Sequence, residues 1–150
     1  FSVLDPFAGV GTTLLASEAA RVRSWGFENH PFIHRVAAAK LRGIHTELSA
    51  IRDTFDSFLK RLSETAPTIS KEVPLLLSKC YAADSLAVLF SMRDLFLAKF
   101  DNKTPESELL WLTLTSILRM CSIAGTAQWQ YVLPNKSKVW VPPPYYRVSS

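Results

Sequence analysis

The chain has 150 residues, of which 48% are apolar, and a formal net charge of +4 at pH 7. That length makes one domain or part of a larger one, and the composition supports a packed core, which excludes collagen-like and disordered classes. No apolar run reaches the roughly 18 residues that span a bilayer, no cleavable signal peptide is visible, and the modest positive charge is compatible with a nucleic-acid partner without requiring one.

In chain order, Phe1 to Asp5 reads as a short apolar strand ending in a carboxylate. The turn that follows carries Gly9 and Gly11, and a helix is predicted from Thr12 to about Arg21, with Thr12 and Thr13 as its caps. Open α/β folds bind ligands at the carboxyl ends of their strands, so this order places Asp5, Gly9 and Gly11 in a binding crevice. Val22 to Glu28 reads as a second strand, and Pro31 opens a second helix running to about Arg42 and closed by Gly43. Strand–helix–strand–helix within 43 residues implies parallel strands with a right-handed crossover. Glu28 falls where such folds place a ribose-binding carboxylate, about 20 residues beyond the glycine turn.

Beyond Gly43 the alternation stops. Leu48, Ile51, Phe55, Phe58, Leu59 and Leu62 follow helical spacing, and a further helix is expected over 78–100. Thr104, Pro105, Glu106 and Glu108 form a helix start with a capping hydroxyl, a proline at the first position and acidic residues facing the dipole. That helix is expected to end near Gly125. Residues 44–124 therefore read as a helical insertion after a β-α-β-α segment over 1–43. Residues 125–150 read as an extended or hairpin-like arm, or as the start of the next part of the fold. Within the arm, Trp129, Lys136, Lys138, Trp140 and Arg147 interleave aromatic faces with cations. Such residues can stack on bases and neutralise phosphates, although packing of the arm onto the helices explains them equally well.

The glycine turn discriminates among ligand classes. No Lys follows Gly11, as a phosphate-cradling loop requires, and Leu14 occupies the third glycine position of a dinucleotide fingerprint. The string Asp5-Pro-Phe-Ala-Gly-Val-Gly-Thr-Thr13 closely resembles motif I of the S-adenosylmethionine-dependent DNA amino-methyltransferases, which methylate the exocyclic amine of adenine or cytosine. The resemblance covers residues 1–42. It implies a Rossmann-like methyltransferase fold in α/β class, S-adenosylmethionine as cofactor, DNA as partner and a restriction–modification setting in the cytoplasm. Carried onto this chain, it makes Asp5, Pro6, Phe7, Gly9, Gly11, Thr12, Glu28 and Asn29 the cofactor site. Asp5 would hold the methionine amino group, Phe7 would line the pocket, and Glu28 would bind ribose. A chain beginning at Phe1 is expected to be an excerpt entered at the first strand of that fold.

The family's second signature, a polar residue followed by Pro-Pro and an aromatic, has one look-alike, Pro143-Pro144-Tyr145, preceded by Pro142 in the polar slot. Pro142 offers no side-chain acceptor for the target amine, so the catalytic residues are expected outside the 150 residues. Two further readings stay open: a methyltransferase acting on RNA or another substrate, and a non-catalytic nucleic-acid-binding protein that keeps the pocket. His30 and His34 lack a third ligand of fixed spacing, and no metal site is expected. Cys80 and Cys121 read as buried free thiols in a reducing compartment. No membrane partner is expected.

Overall fold

A computed structural model describes residues 1–69 and 72–124. In chain order they form β1 (Val3–Asp5), α1 (Thr12–Ala19), β2 (Ser24–Gly26), α2 (Pro31–Gly43), α3 (Leu48–Ser63), α4 (Leu75–Cys80), α5 (Ala83–Lys99) and α6 (Pro105–Cys121).

The two strands are parallel, with Val3 opposite Ser24, Leu4 opposite Trp25 and Asp5 opposite Gly26. Side chains alternate across a strand, so Leu4 and Trp25 share one face and Gly26 lies on the other. The Gly26 face is filled by α1: a Cβ there would stand 2.8 Å from Leu14 Cδ1. The opposite face is open, leaving Leu4 62% and Trp25 49% exposed.

This architecture overturns the expected Rossmann-like methyltransferase fold. Among the described residues the sheet has two strands of three residues each, and the rest of the regular structure is six helices. A parallel sheet core needs helices on both faces and several adjacent strands. Here the described residues supply two strands, one covered face, and then helices from Leu48 to Cys121.

The glycine turn itself is tight. Gly9 and Gly11 have φ of 52° and 82°, and Gly11 serves as the N-cap of α1, with no side-chain cap from Thr12 or Thr13. A Cβ on Gly11 would meet Ala37 Cβ at 3.0 Å, so the missing side chain lets the turn lie directly on α2. Pro31 takes the first turn of α2 as its sequence position requires. Gly43 is the last residue of α2 rather than the residue beyond it, and Ile44 is the cap. Leu109 Cδ2 would stand 2.5 Å from a Cβ at Gly43, so that glycine admits α6 against α2.

The main core is helical. Phe58, Phe96, Phe100 and Leu110 are buried together, with Phe55, Leu62, Met92, Leu95, Trp111 and Leu114 packed around them. Phe58 and Phe100 meet edge to face, 5.3 Å between ring centroids, an arrangement that aromatic quadrupoles favour. Fully burying a side chain such as Phe58 or Leu110 contributes about 1.5–3 kcal/mol. α6 starts as its sequence directs, with the Thr104 hydroxyl accepting from the Ser107 amide at 3.3 Å, and it ends at Cys121 rather than near Gly125.

The single helix expected over 78–100 is two. α4 ends at Cys80, Tyr81 is extended (φ −136°), and α5 begins at Ala83. The Cys80 carbonyl leaves the helical pattern to accept from the Ile123 amide at 2.8 Å and the Ser122 hydroxyl at 2.9 Å. A tertiary tie, with no local proline or glycine, makes the break.

Candidate functional site

The turn above the two strands gathers the residues singled out by the motif, but their side chains serve the turn itself. Asp5 Oδ1 accepts from the Phe7 amide at 3.0 Å. Glu28 Oε1 accepts from the His30 amide at 2.7 Å, at the start of α2. Each carboxylate thus satisfies a backbone N–H two residues on, as short acidic side chains do at turns and helix starts. Phe7 projects into solvent, 89% exposed, and Pro6, Thr12 and Asn29 are also exposed. Lys40 Nζ donates to the Val10 carbonyl at 3.2 Å, tying α2 to the turn. The arm residues Trp129, Lys136, Lys138, Trp140 and Arg147, and the look-alike Pro143, Pro144 and Tyr145, lie outside the described residues. Among the described residues no three His, Cys, Asp or Glu side chains are grouped to hold a metal ion, and no helix is long and apolar enough to cross a membrane.

A concave site does exist, in the helical part. α4, α5 and α6 line an open cleft of about 330 Å³. Leu77 and Tyr81 form one side, Leu86, Leu89, Phe90 and Phe96 of α5 a second, and Trp111, Leu114 and Leu118 of α6 a third. Helical spacing explains the walls. Leu86, Leu89, Phe90, Arg93 and Phe96 recur at intervals of three or four residues along α5, as do Trp111, Leu114 and Leu118 along α6.

Two guanidiniums border the cleft, and carboxylates match both. Arg35 of α2 donates from Nε to Glu108 Oε2 at 2.8 Å and from Nη2 to Glu108 Oε1 at 3.0 Å, with Asp101 Oδ1 at 3.3 Å. It lies over the Trp111 ring, 4.1 Å from the centroid, and Phe32 abuts the same ring edge-on at 5.4 Å. The hydrogen bond to Glu108 is the main influence raising the Arg35 pKa, so the cation is permanent. Arg93 bonds Asp94 Oδ1 at 2.8 and 2.6 Å and lies over Phe90. Burial pushes the Tyr81 phenol up, so it presents a neutral O–H at physiological pH. The cleft is therefore apolar, electrically balanced, and supplied with hydroxyl groups from Tyr81 and Thr115.

Read from the sequence alone, these leucines and aromatics are helix-on-helix core. Helical periodicity marks which residues face inward, but it does not distinguish an inward face that closes from one that leaves a gap.

Comparison with protein-family models, with curated proteins and with solved structures finds no match. The resemblance of Asp5 to Thr13 to methyltransferase motif I is thus a local one. Among the described residues, six helices and a two-stranded open sheet do not supply the parallel-sheet core on which that family's cofactor site is built. The family assignment falls on this ground, and with it fall S-adenosylmethionine as cofactor, methyltransferase activity on DNA and the restriction–modification setting.

Proposed function

We propose that this chain is a non-catalytic binding module whose helical cleft retains a neutral, mainly apolar small molecule. The observation that carries this reading is the cleft itself: about 330 Å³ walled by leucine and aromatic side chains, at the small end of the range for ligand pockets. The matched charges at its border argue against an ionic ligand, because neither Arg35 nor Arg93 has its guanidinium uncommitted. A compact aromatic or branched hydrocarbon body bearing one hydrogen-bond acceptor suits the walls and the Tyr81 hydroxyl. Cytoplasmic residence, in keeping with free cysteines, belongs to the same reading.

Titration with a neutral solvatochromic dye tests it. Saturable binding with a blue-shifted emission, displaced by small neutral aromatics and insensitive to salt, is the expected result. Thr115→Trp places a large side chain in the wall and should abolish binding while the circular-dichroism spectrum is kept. Absence of saturable binding, or binding that the filled cleft leaves unchanged, overturns the reading.

A further inference from the structure

The two cysteines of the chain sit at the ends of different helices, 41 residues apart in sequence and tied together in space. Cys80 closes α4 and Cys121 closes α6. The Cys80 carbonyl receives the Ile123 amide at 2.8 Å and the Ser122 hydroxyl at 2.9 Å, so the residues immediately after Cys121 are fastened to Cys80 itself. Both thiols are free and half-buried, open enough for a small oxidant to reach. The structure assigns to Cys80 and Cys121 a modification site: a peroxide oxidises the pair to an intramolecular disulfide that fastens the end of α4 to the end of α6.

The environment of Tyr81 supports the juxtaposition. Its phenol is raised first by burial and then by the charge that each of Cys80 and Cys121 would carry when ionised, so both sulfurs lie near the same hydroxyl. Burial also raises the Cys121 thiol, which disfavours its thiolate as the initial nucleophile. The first step therefore falls on Cys80. Its thiolate attacks one peroxide oxygen, the O–O bond breaks, and Cys80 becomes a sulfenic acid as hydroxide leaves. The Cys121 sulfur then attacks the Cys80 sulfur, the S–O bond breaks, and water departs with the Cys121 proton. Two thiols lose two electrons and two protons, and one peroxide becomes two waters.

The full chain, treated with one equivalent of hydrogen peroxide and then alkylated under denaturing conditions, should show the loss of two hydrogen atoms and no alkylated thiol. Peptide mapping should join the segment containing Cys80 to that containing Cys121. Closure should be at least about tenfold faster in buffer than in concentrated urea, because the native fold supplies the effective concentration that a long unfolded loop lacks. In Cys121→Ser a sulfenic acid should accumulate on Cys80 and react with dimedone, whereas Cys80→Ser should consume peroxide more slowly. Two alkylatable thiols after oxidation, a disulfide joining two chains, or equal closure rates in buffer and urea would each overturn the proposal. None of these readouts depends on the cleft holding a ligand.

Discussion

Arg35 and Glu108, 73 residues apart, are joined by two parallel hydrogen bonds that fix α2 against α6. The Glu108 side chain is 5% exposed and that of Arg35 30%, so the carboxylate depends on its partner far more than the cation does. Arg35→Leu should therefore destabilise the fold by about 3 kcal/mol, chiefly by leaving a buried charge uncompensated. Arg35→Leu with Glu108→Leu should regain most of that loss. Urea unfolding of the three proteins checks both statements.

Asp101 gives the fold a dependence on acid. Hydrogen bonding to Lys103 comes first among the influences holding its carboxyl below the usual 3.8, followed by the charges of Lys103 and Arg35. A carboxyl depressed in the folded state contributes stability that is complete above its unfolded pKa and is lost as pH falls through the folded one. The expected decline thus begins below about pH 4, and Asp101→Asn should flatten that part of the melting-temperature profile while lowering stability at neutral pH.

Phe58→Ala should cost about 3–5 kcal/mol, because the side chain is fully enclosed by α5 and α6 and leaves a cavity. Phe7→Ala, in solvent on the glycine turn, should change stability by no more than about 0.5 kcal/mol. Thermal unfolding of the two variants side by side measures the contrast.

Hydrogen exchange should divide the molecule. The Val3 and Phe27 amides, bonded to the Arg23 and Asp5 carbonyls, belong to a sheet with one bare face and should exchange early. Helical amides around Phe96 and Leu110 should persist until global unfolding. Protection of Val3 equal to that of Leu110 would contradict this ordering.

Local structure was largely legible in the chain. The Thr104–Pro105 start of α6, the proline at the head of α2 and the two parallel strands all follow from signals a few residues long. Extent was not. Asp5 to Thr13 specifies a turn with two glycines at positive φ, but nothing in that string determines how many further strands join the sheet. The interruption after Cys80 was hidden because its cause is an amide 43 residues away, at Ile123. The cleft was hidden for a related reason: each wall obeys ordinary helical spacing, and only the packing of three helices reveals the space between them.

Leu4 and Trp25 stand side by side on the uncovered face of β1 and β2. Parallel pairing also directs every second amide and carbonyl of each strand away from its neighbour. Apolar surface beside an exposed strand edge is a template for self-adhesion. Concentrated solutions of the protein should therefore turn turbid in a manner that depends on this face. A charge placed at Leu4 should raise the concentration at which turbidity begins, at little cost to a core built elsewhere, among the helices.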